Sequence, residues 1–168
     1  MDQYFEIFHD GVIVAIRGSV PNDITLEVEC DYLRQYYDGT EAPFYVHLRN
    51  CRKFEFTNSN GEKELNLAKI AESNHEMTAA EMLDHEMLVR VFTSNVDESG
   101  WIDIEFEAVT IVDELGQPIS INKLFHAADC YWDAVDARKK YFIETPLGSV
   151  LLSAIVTFVL LKTVSYFS

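Results

Sequence analysis

Asp103, Glu105 and Glu107 alternate along one stretch of the chain, and Glu27 and Glu29 alternate along another. Side chains two residues apart on a strand share a face, so each stretch offers a row of carboxylates. Were the two strands neighbours, the rows would form a negative ladder suited to calcium or a basic protein. The ordinary form of such a row is a solvated sheet face, and these five acids are the candidate partner contacts. A paired-carboxylate hydrolase would need one acid in an apolar pocket to raise its pKa, and alternating acids are expected to be exposed.

Two further pairs, His75-Glu76 and His85-Glu86, invite a metal reading. A zinc-protease HExxH needs its second histidine four residues after the first, where Ala79 stands. Thr78-Ala79-Ala80-Glu81 matches a capping box and predicts a short helix to about Glu86, with both pairs at solvated ends. His126 and Cys130 are one helical turn apart but lack a third and fourth ligand. No metal site and no cofactor are therefore expected. Nucleophile and phosphate-binding signatures are missing as well: there is no GxSxG, P-loop or GxGxxG. Three widely spaced cysteines, Cys30, Cys51 and Cys130, without a CxxC suit buried reduced thiols.

The elements that must position these residues alternate with period two from Tyr4 to Asp113, which predicts antiparallel β structure. Tyr4–Phe8 and Val12–Ile16 flank His9-Asp10-Gly11 and are expected to form a hairpin. Ile24–Cys30, Phe44–Leu48, Lys53–Thr57, Leu88–Thr93 and Trp101–Asp113 follow as strands, the last long enough to bend or bulge. Glu62–Ser73 reads equally as strand or helix. Tyr32, Tyr36, Tyr37 and Tyr45 suit packing better than an exposed recognition patch. Leu124, Phe125, Ala128, Tyr131, Trp132 and Val135 recur at steps of three and four, which predicts an amphipathic helix from about Asn122 to Lys140.

Charge divides the chain. Its 168 residues carry 13 Lys or Arg against 28 Asp or Glu, a formal −15. With Lys162 set aside, the twelve remaining bases and all 28 acids lie before Thr145, a formal −16 for that part. Such an excess excludes an ordinary nucleic-acid binder, which needs clustered Lys and Arg. The expected organisation is an acidic β-rich domain over residues 1–144 and a hydrophobic C-terminal segment over 145–168.

Thr145-Pro146 suits the start of a helix. At about 1.5 Å per residue, Thr145–Leu161 reaches about 26 Å and Leu147–Phe167 about 32 Å, against a hydrocarbon core of about 30 Å. Leu147, Leu151, Ile155, Phe158 and Leu161 would face lipid, and Lys162 would snorkel to the headgroups. Arg138-Lys139-Lys140 just before the span keeps that side cytoplasmic. Burial of this apolar helix within the protein is the competing placement. Ser149, Ser153 and Thr157 form a small-residue stripe whose hydroxyls are expected to back-bond within the helix, with pairing of two such helices as a homodimer the alternative.

The fold class expected is mainly β (α+β): an antiparallel sandwich or partly open barrel, capped by the amphipathic helix and followed by the hydrophobic one. The leading functional expectation is a non-catalytic, acidic protein-binding module tethered to the cytoplasmic face of a membrane. An immunity-like inhibitor of a basic partner such as a nuclease toxin is the first alternative. A hydrolase with an unrecognised site is the second.

Overall fold

The computed structural model describes residues 2–83, 88–95 and 98–144. In chain order these form α1 (Gln3–Glu6), β1 (Val12–Gly18), β2 (Asn22–Glu29), α2 (Asp31–Tyr37), β3 (Phe44–Cys51), β4 (Lys53–Asn58) and β5 (Lys63–Glu64). Then come α3 (Leu67–Glu72), β6 (His75–Met82), β7 (Leu88–Ser94), β8 (Ser99–Glu105), β9 (Ala108–Val112) and α4 (Ile121–Glu144). The protein is mainly antiparallel β with few helices: the nine strands of the described residues join one sheet in the order β5-β4-β8-β7-β6-β1-β2-β3-β9.

Alternation builds the core. Ile24, Leu26 and Val28 of β2, Phe44, Val46 and Leu48 of β3, and Ile102 and Ile104 of β8 are all buried. Every second residue faces inward on a pleated strand, and each fully buried side chain of this size contributes about 1.5–3 kcal/mol. Two connections show how the sheet is bent. Arg52 alone separates β3 from β4, although these stand six strand spacings apart in the sheet order. A flat sheet would place them about 29 Å apart, which one connecting residue cannot bridge. The sheet therefore coils, and the β3–β9 pairing runs directly into the β4–β8 pairing. The Arg52 amide donates to the Glu105 carbonyl at 2.7 Å, and the Glu107 amide donates to the Arg49 carbonyl at 3.0 Å.

Two local expectations change and two others are resolved. Tyr4–Phe8 is not a strand: α1 and the turn after it occupy it, and the Asp2 carboxylate caps α1 by accepting from the Gln3 amide at 2.9 Å. Phe5, Ile7 and Phe8 are all buried, and the Ile7, Phe8 and His9 amides donate back to the Gln3, Phe5 and Glu6 carbonyls where a strand would have paired across a ladder. Thr78–Glu81 is not a helix start but part of β6, paired along β7, while β1 pairs only with His75 and Glu76 at the start of that strand. The ladder to β7 satisfies more backbone groups there than a cap would, and tertiary pairing overrides the local signal. Trp101–Asp113 does bend, dividing at Phe106-Glu107 into β8 and β9. Glu62–Ser73 contains both candidate structures, β5 and α3.

The tyrosine-rich segment folds as α2. Tyr32, Tyr36 and Tyr37 pack against the core, and the Tyr32 hydroxyl donates to the Ile7 carbonyl at 2.8 Å. Arg34 ties this helix down from within. Its side chain is 3 % exposed, pairs with Asp38 at 2.5 Å and Glu114 at 3.2 Å, and donates to the Pro43 carbonyl at 2.7 Å. Its guanidinium also lies 4.0 Å from the centre of the Phe44 ring.

The chain divides into two compact units between Ala128 and Asp129, inside α4. In the first, Leu124, Ala127 and Ala128 are buried, as an amphipathic helix at the end of the β region requires. In the second, the Tyr131 and Trp132 rings meet edge to face with centroids 4.9 Å apart. The expected boundary at 144/145 falls where the described residues end. Leu147, Leu151, Ile155, Phe158, Leu161 and Lys162, and the Ser149, Ser153 and Thr157 stripe, lie outside the described residues. Among the described residues no helix is long and apolar enough to cross a membrane.

Candidate functional site

The two carboxylate rows do not meet. Glu27 and Glu29 lie on β2, Asp103 and Glu105 on β8, and three strands, β7, β6 and β1, stand between them. Asp103 is buried and fully engaged: it accepts from Arg90 Nε at 2.8 Å and Nη2 at 3.2 Å, and from Lys53 Nζ at 3.1 Å. Burial alone would raise its pKa, but the bonds from Arg90 and Lys53 outweigh that and hold the carboxyl below its ordinary value. Arg90 in turn lies 5.0 Å from the Trp101 ring centre. Glu27 pairs with Arg17 at 2.5 Å, Glu105 with Arg52 at 3.6 Å, and Glu107 accepts from Asn50 at 2.9 Å. Of the five, Glu29 alone is left without a cation or side-chain donor among the described residues.

A different constellation gathers where α3, the β4–β5 hairpin and the turn after β7 converge. Two adjoining cavities open there, of about 530 Å³ and about 690 Å³, and Glu72, Ser73 and Glu98 line both. Each wall has a local cause. The Asn58 side-chain oxygen Oδ1 closes the hairpin by accepting from the Asn60 and Glu62 amides, as an Asx turn does. Asn66 caps α3 by accepting from the Ala68 amide at 3.0 Å. Across the cavity, Asn95 accepts from the Glu98 amide at 2.8 Å and fixes that residue's backbone.

The charges lining the smaller cavity are unequal in their engagements. Lys63 pairs with Glu55 at 2.8 Å, Lys69 with Glu64 at 3.3 Å, and Glu62 accepts from Asn58 at 3.0 Å. Glu72 and Glu98 have no such side-chain partner among the described residues. Beside them sits His75, 1 % exposed, at the start of β6, with its ring centroid 4.3 Å from that of Phe56. Its Nδ1 lies 3.4 Å from the Thr93 hydroxyl, while its Nε2 is buried without a partner. Burial lowers the imidazole pKa, with Glu98 pulling the other way, so the ring is neutral near pH 7.

His75 is therefore an interior group of a strand rather than the solvated helix end that its neighbours in sequence imply. The signal was present: His75 and Met77 are buried and alternate with Glu76 and Thr78. A register shift between Met77 and Ala79 breaks that alternation and masks the strand. His85-Glu86 lies outside the described residues. His126 is exposed on α4, and no cluster of three or more His, Cys, Asp or Glu poised for a metal occurs among the described residues. None of Cys30, Cys51 and Cys130 forms a disulfide, and burial pushes the Cys30 thiol up to about 12 and the Cys51 thiol up to about 11.

The chain matches no known protein family, no curated protein and no solved structure. Its site must be read from its own chemistry.

Proposed function

We propose that this protein is a non-catalytic, acidic binding module for a basic protein partner, held at the cytoplasmic face of a membrane by its C-terminal segment. The observation that carries the reading is the set of carboxylates around concave surface that no cation of the described residues neutralises. Glu72, Glu76 and Glu98 border the paired cavities. Glu29, Asp31 and Glu41 border another, of about 610 Å³, beside α2. Unpaired acids in concave surface focus negative potential outward and speed encounter with a positive partner. Inhibition of a basic toxin is the narrower form of this reading, with the same acids occluding a cationic active surface.

A partly open barrel is the scaffold that best accommodates these features. It is supported by the one-residue passage from β3 to β4 across opposite ends of the sheet order.

The partner reading is tested by capture on the full-length protein from extract of its own cells, with salt elution. A retained partner of pI above about 9 that elutes with salt supports it. A neutral or acidic partner indifferent to salt overturns it. The anchor is tested separately by carbonate extraction of membranes. Full-length protein is expected in the pellet and a chain lacking residues 146–168 in the supernatant; full-length protein in the supernatant removes the membrane from the account.

A further inference from the structure

We infer that the β1–β6 seam is an acid-sensitive latch, which protonation of His75 opens while the rest of the sheet stays paired. The latch is independent of any partner and follows from where His75 lies. In the sheet order the seam joins one half, β5-β4-β8-β7-β6, to the other, β1-β2-β3-β9. It is short: two register pairs, Val12 with Glu76 and Ile13 with His75, against six pairs in each of the adjoining β1–β2 and β6–β7 ladders. Next to them the Met77 amide donates to the Gly11 carbonyl and the Asp10 amide to the Met77 carbonyl, each at 2.8 Å. For the rest, β1 packs against α3 and β6 against α1.

His75 belongs to one of those two pairs and is 1 % exposed. Its ring lies against Phe56 of β4, the Thr93 hydroxyl of β7 stands 3.4 Å from Nδ1, and Nε2 has no hydrogen-bond partner. Neutral imidazole carries one N–H and imidazolium two, so in either tautomer protonation leaves a donor at Nε2 with nothing to receive it. A buried charge without its bonds is costly, and the shortest seam is where opening relieves that cost with the fewest bonds broken. The charged groups towards the ring line the adjoining cavity: Glu98 after β7, Lys69 and Glu72 of α3, and Glu62, Lys63 and Glu64 of the β4–β5 hairpin. Lys63 and Lys69 are themselves paired with Glu55 and Glu64. Ile13 of β1 and Thr93 of β7 are uncharged, α1 turns Phe5 to the core and keeps Glu6 exposed, and Glu76 takes the opposite face of β6. Burial lowers the imidazole pKa, and Glu98 opposes it without prevailing. The closed seam is therefore fully favoured above the ordinary 6.5 and loses ground as pH falls from there through the lowered value.

The test is amide hydrogen exchange of the full-length protein by NMR, from about pH 7.5 to about pH 5.5 and corrected for intrinsic exchange rates. The Asp10 and Met77 amides, whose bonds cross the seam, are the reporters. One proton divides the open seam from the closed one, so their protection should fall about tenfold per pH unit below the ordinary histidine value, until the lowered one is reached. Amides of the β2–β3 and β7–β8 ladders should keep theirs. His75→Phe keeps a ring against Phe56 and removes the titration, so protection at Asp10 and Met77 should no longer change with pH. His75→Gln serves as a second variant if that one does not fold. Protection of the two reporters unchanged across the range would overturn the latch. So would a loss shared equally by the whole sheet, or the same loss in the variant that cannot titrate.

Discussion

Replacing Arg34 by methionine keeps most of the side-chain length and removes the charge that holds α2 on the sheet. The cost follows from what each partner does next. The Asp38 and Glu114 side chains are 28 % and 36 % exposed, so water recovers most of their loss, and the two pairs together amount to about 1 kcal/mol. The Pro43 carbonyl loses its donor, at about 1–2 kcal/mol, and Phe44 loses its cation, at about 1 kcal/mol. Against this, the Arg34 Nε is itself buried without a partner, and removing it returns about 1 kcal/mol. The net expectation for R34M is a loss of about 2–3 kcal/mol, or about 5–10 °C in melting temperature for a chain of this size. Urea unfolding followed by tryptophan fluorescence measures it.

The pH dependence gives a second check on the same contact. Burial raises the Asp38 pKa, but bonds from the Thr40 amide and hydroxyl and the nearby Arg34 charge outweigh it and leave the carboxyl below its ordinary value. A carboxyl depressed in the folded state contributes stability that is present above the unfolded pKa and lost as pH falls through the folded one. Below about pH 4 the gap between R34M and the parent should therefore narrow. A variant within about 0.5 kcal/mol of the parent, or an unchanged gap on acidification, would refute the reasoning.

Three further outcomes are expected. Asp103→Asn leaves Arg90 and Lys53 facing a neutral amide and should cost about 2 kcal/mol at pH 7, shrinking in acid because the parent carboxyl is depressed; equal stability at pH 7 would count against the network. Gly18 has φ +111°, and a Cβ there would stand 2.2 Å from the Asp23 carbonyl oxygen, so Gly18→Ala should lose at least about 2 kcal/mol by urea unfolding, and a neutral effect would contradict the β1–β2 turn. The His75 ring should titrate below the ordinary 6.5 and lower still in E98Q, because Glu98 raises its pKa. Stability from the neutral ring is then fully present above the ordinary value and lost as pH falls from there through the lowered one. An NMR midpoint at or above the ordinary value would refute the burial.

Where one face of a strand is buried, alternation made it legible. Ile24–Cys30, Phe44–Leu48 and Leu88–Thr93 carry a period-two signal because each lies within the sheet with one side against the core. The failures share a cause: short segments whose local chemistry favours one structure while long-range pairing selects another. Thr78-Ala79-Ala80-Glu81 is a sound helix start by propensity, yet its pairing with β7 makes it a strand. Asp103 reads as an exposed acid because alternation cannot reveal that Arg90 and Lys53 come from adjacent strands to cover it. The His75 cavity was equally hidden, since Phe56, Glu72, His75 and Glu98 come from four separate segments. The net acidity, by contrast, was plain from composition, and it is what the proposed function uses.

The most direct test of that function is the association rate of the full-length protein with its purified partner as a function of salt. If unpaired carboxylates steer a basic surface to the domain, the rate constant should fall more than about tenfold between about 50 and about 500 mM NaCl. A rate constant unchanged over that range would contradict the account.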